Sequence, residues 1–245
     1  MKYIYILFVI LIACNKHDEE ICLTFSPKPS DQYIFPVRPG MPEWEELTSG
    51  QEMIDILQLP EDKLTSISTY GLVETCLDYP LLSSMLAFES IQKGTESQMN
   101  NFNGFITLES RNEAGRLMLN RFKLMNPSCP PNNTDIVDYS LFFIYMSMVQ
   151  AQNIFIEQLT PAERRELLNE AINKYIEFKR IGDPYSIFNL KVEALIMARV
   201  MVLENYAPFL EEIATNNFMN IFINDVELNN NIETLNIILD YANQF

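Results

Sequence analysis

The pattern of apolar and polar residues divides the chain into an apolar leader, a proline-rich segment and a long region of helical periodicity. Residues 3–12 form an apolar run that ends at Ala13, and polar residues begin directly after Cys14. A helix that spans a bilayer needs about 20 apolar residues, whereas a secretory signal has a shorter apolar run after a basic residue and before a small one. Because Lys2 precedes the run, the pattern predicts a signal peptide over residues 1–13.

The end of this leader also carries a lipidation motif. The residues Leu11-Ile12-Ala13-Cys14 resemble the lipobox of bacterial lipoproteins. This resemblance implies that the Cys14 thiol carries a diacylglycerol and that the chain is cut before Cys14. It also implies that the new amine carries a further acyl chain such as palmitate. We therefore expect a membrane to be the first partner of the protein, held through a lipid anchor at Cys14.

A charged motif follows the predicted anchor. The residues Lys16-His17-Asp18-Glu19-Glu20 are similar to the lysine-plus-acidic signal that sends some lipoproteins to the outer face of the outer membrane. His17 interrupts the compact form of that signal, so the sequence does not decide on which face of the outer membrane the protein lies. The resemblance implies a lipid-anchored protein of the outer membrane, with exposure on the cell surface as one of its two placements.

Residues 14–41 have the composition of a tether. Five of the thirteen prolines lie between residues 27 and 42, and proline removes a backbone donor and favours extended backbone. The apolar residues Tyr33-Ile34-Phe35 allow part of this segment to lie against the domain that follows. The segment is predicted to be an extended N-terminal tether.

Helical signals begin at residue 42 and continue to the end of the chain. The motifs Ser110 to Glu113 and Thr160 to Glu163 have the spacing of capping boxes and predict helix starts. Thr134 or Asp135 is predicted to cap a helix that runs to about Gln158. The centre of that helix is apolar on every side, which is typical of a buried helix.

The fold class follows from these signals. No alternating strand pattern of useful length occurs after residue 42, and no fixed repeat is found. Short loops between helices favour antiparallel neighbours. The sequence therefore predicts an all-α fold, an irregular helical array or bundle of antiparallel helices over residues 42–245. Its two candidate lobes are residues 42–125 and 133–245.

The charge of the chain excludes one class of partner. The full chain has a net charge of −16, and removal of residues 1–13 removes Lys2 alone among the charged residues, which gives −17. Such a surface repels nucleic acid, so we expect no nucleic-acid partner. Solubility outside the cell is the main interpretation of this charge, and binding of cations is the alternative.

Catalytic motifs are missing from the predicted domain. His17 is the only histidine, so a hydrolase triad with a histidine base and an H-E-x-x-H zinc site are both excluded there. No phosphate-binding glycine motif occurs. We therefore expect no cofactor and no catalytic residue, which favours a protein without enzymatic activity.

Two weaker motifs have simple interpretations. Glu89-Ser90 resembles the catalytic Glu-Ser pair of helical lytic transglycosylases, but the flanking motifs are missing, so we expect Glu89 to be an exposed residue at a helix start. Residues 225–231 place oxygen ligands at alternate positions, as in half of an EF-hand loop. Asn230 and Asn236 occupy the positions of the required glycine and glutamate, so we expect an asparagine-rich turn and no metal site.

Three further motifs carry a family resemblance. Residues 38–44 (RPGMPEW), 58–64 (QLPEDKL) and 77–81 (LDYPL) resemble a family of uncharacterised helical lipoproteins and secreted proteins of gut-type Gram-negative bacteria. The likeness covers about residues 36–125. It implies a helical, exported protein, and it brings no established activity.

Three functions remain open for this chain. The first is a non-enzymatic binding or protein-interaction module of the envelope, whose partner is an envelope protein or a glycan. The second is a cell-wall or glycan-cleaving enzyme that uses carboxylates alone, because that chemistry needs no histidine. The third is a structural part of a surface assembly.

The cysteines other than Cys14 pose a separate question. Cys22 and Cys129 are the candidates for a disulfide between tether and domain, because Cys76 has the spacing of a buried helical residue. Export places the chain where disulfides persist. Nothing in the sequence brings Cys22 and Cys129 together, however, so the expectation is three free thiols.

Overall fold

The described part of the protein is built from helices. The computed structural model describes residues 28–131 and 134–245, which form fourteen α-helices and one 3₁₀ helix and contain no strand. This confirms the predicted all-α class. None of the described helices is both long and apolar enough to cross a bilayer. The signal peptide and the residues Cys14 and Cys22 lie outside the described residues.

The first half of the domain consists of short helices, several of which begin at a serine. Ser49, Ser68 and Ser90 each accept a hydrogen bond from a backbone N–H in the first turn of the following helix. A 3₁₀ helix, Leu82–Ala87, precedes the fifth α-helix. The α-helices are α1 (Pro42–Glu45), α2 (Gly50–Ile56), α3 (Glu61–Ser66), α4 (Thr69–Leu77), α5 (Ile91–Asn101), α6 (Asn103–Glu109) and α7 (Ala114–Lys123).

The second half contains the three longest helices. Asp135 caps the first of them, and Thr160 and Glu163 form the predicted capping box at the start of the next long one. The helices are α8 (Ile136–Gln150), α9 (Asn153–Ile156), α10 (Pro161–Ile181), α11 (Ile187–Leu203), α12 (Ala207–Thr215), α13 (Asn217–Asp225) and α14 (Glu233–Gln244).

Two predicted helix boundaries are wrong. Ser110 does not open a helix: it follows α6, and its hydroxyl donates to the Thr107 carbonyl at 2.6 Å. The carbonyls at the end of α6 need donors, and Ser110 supplies one, so its motif marks a helix end. The helix predicted to reach Gln158 ends at Gln150, and Gln152 has extended backbone before α9 begins.

Residues 28–41, the described part of the predicted tether, contact the domain. Phe35 is only 2% exposed and belongs to the hydrophobic core. The Tyr33 backbone N–H donates to the Thr75 hydroxyl at 2.9 Å, and Arg38 forms an ion pair with Asp78. The segment is therefore extended but bound along α4.

The core crosses both candidate lobes. One cluster of buried residues includes the aromatic group around Phe102 in the first and the group around Phe178 in the second. α10 and α11 are antiparallel neighbours, because Arg164 at the start of α10 pairs with Glu204 just after α11. A single hydrophobic core thus unites residues of 42–125 with residues of 133–245.

A row of buried polar contacts, which we call the polar seam, joins α8 to α11. Asn189 donates its side-chain amide to the Ser140 carbonyl at 2.9 Å, and the Ser147 hydroxyl donates to Glu193 at 2.7 Å. The Ala151 carbonyl, which directly follows α8, accepts from Arg199 at 2.9 Å. Because the contacts advance along both helices together, α8 and α11 run in the same direction.

Glu193 lies in the middle of the polar seam and is fully buried. Its Oε1 accepts the Ser147 hydrogen bond, whereas its Oε2 has no hydrogen-bond partner. Burial raises the pKa of Glu193 to about 8, although the Ser147 hydrogen bond and the charge of Lys174 act in the opposite direction. The folded protein therefore keeps this carboxyl mostly protonated at neutral pH.

The first prediction concerns Glu193→Gln. A folded pKa above the ordinary value of 4.5 means that the folded state holds a proton which the unfolded chain releases, so stability falls as pH rises from 4.5 to about 8. Glutamine is neutral throughout, so the variant should exceed the wild type by about 2–4 kcal/mol near pH 8.5, with little difference near pH 4.5. Urea unfolding across this range measures the effect.

The exposed Glu157 provides the matched control, because Glu157→Gln should leave the pH dependence unchanged. A Glu193→Gln variant whose stability follows that of the wild type at every pH would contradict the assignment of a buried, protonated carboxyl.

The cysteines of the described residues differ in state. Cys129 is buried and disulfide-bonded, whereas Cys76 is buried and free. Burial raises the pKa of the Cys76 thiol, which suits an inert core residue. The expectation of three free thiols is therefore wrong, since it took Cys129 to be reduced.

The second prediction assigns the partner of Cys129. Because Cys76 is free and the lipobox resemblance assigns the Cys14 thiol to lipid, we expect Cys22 to be the partner. The mature protein, unfolded without reduction, should show one reactive thiol, and Cys22→Ser should expose a second one. Thiol titration with mass mapping measures this, and a Cys22→Ser protein in which Cys129 stays unreactive would contradict it.

Candidate functional site

A polar concave surface of the described residues lies where the two halves of the domain meet. It has a volume of about 450 Å³, and we call it the amide cleft because five of its side chains are carboxamides. Its walls come from α5, α6, α9, α11 and α13. The lining residues are Gln92, Glu96, Met99, Asn100, Glu109, Gln152, Asn153, Ile154, Arg199 and Asn224.

Local structure explains how two of the glutamines reach this cleft. Gln92 lies in the first turn of α5, which Ser90 caps, and α5 packs closely on the preceding 3₁₀ helix because Gly94 has no side chain. A Cβ at Gly94 would lie 2.2 Å from the Met85 carbonyl oxygen. Gln152 lies in the break between α8 and α9, and its amide donates back to the Met148 carbonyl at 2.7 Å.

Arg199 forms the base of the amide cleft. Its guanidinium donates to the carbonyls of Ala151 at 2.9 Å and Ile223 at 3.1 Å, and to Gln92 Oε1 at 3.0 Å. Burial lowers the pKa of Arg199 to about 10, and the charge of Glu96 opposes this shift. At neutral pH the base of the cleft is therefore still positively charged.

The two buried glutamines hold each other in place. Gln92 donates to Gln152 Oε1 at 2.8 Å and to Glu96 Oε1 at 2.7 Å, and Gln152 donates to Gln92 Oε1 at 3.3 Å. Gln92 is 5% exposed and Gln152 is 8% exposed. These bonds fix the amide orientation and leave the carbonyl oxygen of Gln92 facing Arg199.

Two carboxylates line the same cleft. Glu96 is exposed on α5, and Glu109, the last residue of α6, is partly buried. Burial raises the pKa of Glu109. The amide cleft therefore combines a partly buried cation, two acids and a set of neutral donors and acceptors.

A second concave surface, the α4–α8 groove, is more apolar and has a volume of about 260 Å³. Its floor contains the buried pair of Arg121 and Glu74, whose Nε and Oε1 atoms are 3.0 Å apart, and Arg121 also lies over the Phe142 ring. The described tether lines one side through Lys28 and Gln32. This groove is accordingly part of the contact between tether and domain.

A third depression lies at the start of α11 and has a volume of about 580 Å³. The exposed apolar residues Ile187, Phe188 and Ile232 border it, and Lys191 lies over the Phe188 ring. These side chains are among the exposed apolar residues that a role in a surface assembly would use.

The residues singled out from the sequence do not form the amide cleft. Glu89 is exposed and pairs with Lys93 at 3.1 Å, which confirms a simple residue at a helix start. Asn229 and Asn230 have left-handed backbone, as expected for an asparagine-rich turn. Among the described residues, no group of three or more histidine, cysteine or acidic side chains is placed to hold a metal ion. The lipidation residue Cys14 lies outside the described residues.

Sequence reasoning missed the central residues of the cleft. Arg199 does have a signal in the sequence: Glu193 and Arg199 are the only charged residues between Val192 and Leu203. Charged residues in an apolar helix are rarely fully buried unless they are paired or functional. Gln92 and Gln152 carry no comparable signal, because their role depends on the break before α9.

Comparisons with protein-family models, with curated proteins and with solved structures found no match for this chain. Function is therefore inferred from the chemistry of the amide cleft, together with the motifs near the N-terminus. The cleft offers hydrogen-bond donors, acceptors and charges, and Gln92, Gln152 and Arg199 are held in place by hydrogen bonds.

Proposed function

We propose that this protein is a lipid-anchored lipoprotein of the bacterial outer membrane and that its helical domain binds a small polar ligand in the amide cleft. In this proposal Cys14 holds the chain at the membrane, and binding takes place without chemical change to the ligand. The lipobox resemblance supports the anchor, and the amide cleft supports the binding function. The family resemblance of residues 36–125 agrees with an exported helical protein.

The observation that carries the binding function is the hydrogen-bonded network of the partly buried Arg199 with the buried Gln92 and Gln152. Ligand sites use a few convergent polar groups that are fixed before the ligand arrives. The three side chains are held by hydrogen bonds of 2.7–3.3 Å to each other and to backbone carbonyls. A polar ligand would meet groups that need little rearrangement, which favours affinity.

Glu96 and Glu109 favour one alternative function, a glycan-cleaving enzyme. Glycosidic hydrolysis uses a protonated carboxylic acid and commonly a second carboxylate. Glu109 has a raised pKa and shares the cleft with Glu96, so the pair has the composition of such a site. Arg199 at the base gives the cleft a feature that this chemistry does not need, and for that reason we favour binding.

The third prediction tests the cleft with a pair of adjacent substitutions. Asn100 lines the amide cleft, whereas its neighbour Asn101 does not, and both are exposed on α5. Asn100→Ala should weaken ligand binding by about three- to tenfold through loss of a hydrogen bond, and Asn101→Ala should not. Equilibrium dialysis against soluble envelope glycans and peptides, followed by mass spectrometry, measures both binding and any cleavage.

Cleavage products that vanish in Glu109→Gln would replace the binding proposal by the enzymatic one. Equal loss of binding in Asn100→Ala and Asn101→Ala would show that the ligand does not occupy the cleft.

The fourth prediction tests the anchor. Cys14→Ala should abolish both membrane attachment and cleavage before residue 14, because the lipid is attached before the cut in lipoproteins that share this motif. Cys22→Ala is the matched control and should stay in the membrane fraction. Fractionation and intact-mass measurement check both outcomes, and a Cys14→Ala protein that remains membrane-bound and is cut at the same bond would contradict the anchor.

A further inference from the structure

The positive charge of Arg199 has no direct carboxylate partner. Among the described residues its guanidinium forms no ion pair, and its hydrogen-bond acceptors are two backbone carbonyls and the amide oxygen of Gln92. Glu96 acts on this partly buried charge without forming an ion pair with it, and a charge that is withdrawn from water without a direct partner is costly in free energy. An anionic group that enters the amide cleft would supply a direct partner.

The acceptors of Arg199 also leave room for a ligand. Ala151 follows α8 directly and Ile223 lies in the last turn of α13, so both carbonyls belong to the partly negative ends of helices. These ends orient the guanidinium. A guanidinium has five N–H hydrogens, and three are donated within the protein, so two have no acceptor among the described residues.

The other charged residues that line the cleft have the opposite sign. Glu96 and Glu109 line it, and the whole chain has a net charge of −16. Both features would repel a simple anion such as phosphate or sulfate. A ligand with a negative group near Arg199 and a positive group near the two glutamates satisfies both signs.

From this arrangement we propose that the amide cleft binds a zwitterion, either a free amino acid or a short peptide with both termini free. The ligand carboxylate pairs with Arg199, and the ligand ammonium group pairs with Glu96 and Glu109. This inference rests on the proposed binding function and names its ligand class.

The size and the neutral groups of the cleft agree with that class. A volume of about 450 Å³ holds an amino acid or a short peptide and is too small for a folded partner. The exposed carboxamides of Asn100, Asn153 and Asn224 offer donors and acceptors to peptide groups. An acidic protein surface does not repel a ligand whose charges sum to zero.

The experiment uses the mature lipoprotein in detergent and four sets of probes. They are the standard amino acids, a mixture of dipeptides with free termini, the same dipeptides either amidated or acetylated, and neutral disaccharides. Equilibrium dialysis with mass spectrometry gives the affinity for each probe. Tighter binding of amino acids or of dipeptides identifies which of the two sources the cleft prefers.

We expect the affinity for a dipeptide to fall when either its carboxyl or its amino terminus is blocked. Amidation of the carboxylate should weaken binding by about 30-fold, because it removes the direct partner of the partly buried Arg199. Acetylation of the ammonium group should weaken binding by about three- to tenfold, because its partners are more exposed. Glu96→Gln should reduce the effect of acetylation and leave the effect of amidation unchanged, and the exposed Glu89→Gln serves as its control.

Arg199→Met should remove the effect of amidation, provided that circular dichroism shows it to be folded. If it does not fold, the blocked peptides and Glu96→Gln still decide the question. Equal binding of amidated and free dipeptides, or binding of disaccharides alone, overturns the zwitterion and leaves the binding function intact. Absence of binding by every probe overturns both.

Discussion

The polar seam between α8 and α11 is the constraint on which the arrangement of the amide cleft depends. Both helices are apolar around most of their surface, and apolar packing alone tolerates alternative alignments. Ser140 with Asn189, and Ser147 with Glu193, add directional bonds that an axial slip would break. The same alignment brings Arg199 to the end of α8, where the chain breaks before Gln152.

The buried Glu193 and the partly buried Arg199 on α11 behave differently, and the difference explains the charge of the cleft. Glu193 has a pKa raised to about 8 and therefore loses its charge at neutral pH. Arg199 has a pKa lowered only to about 10 and keeps its charge. One helix thus neutralises its inner carboxyl by protonation and presents a single cation to the cleft. Glu193, which forms a structural polar contact, and Arg199, the proposed recognition group, lie less than two helical turns apart.

The sequence predicted the parts of the fold that depend on local chemistry. The caps at Asp135 and Thr160 follow from side chains next to the helices that they begin. Ser110 has the same local pattern but ends a helix, because α6 before it had gone unrecognised. Local motifs identify the position of a helix terminus better than they identify whether the helix starts or ends there.

The amide cleft lay beyond such reasoning, because it joins residues that are distant along the chain. Arg199 and Gln92 are separated by 107 positions, and the register of α8 against α11 brings them to 3.0 Å. The sequence alone shows only that Arg199 is a charged residue in an otherwise apolar stretch. The disulfide state of Cys129 was hidden for the same reason, since sequence spacing contains no information on which segments meet.

The most direct test of this account is a crystal structure of the protein with its tightest-binding dipeptide. We expect the dipeptide to lie in the amide cleft, with one oxygen of its carboxylate about 2.8 Å from the Arg199 guanidinium and with its ammonium group facing Glu96. A dipeptide bound in the α4–α8 groove, or one in the amide cleft with its carboxylate directed away from Arg199, would contradict it.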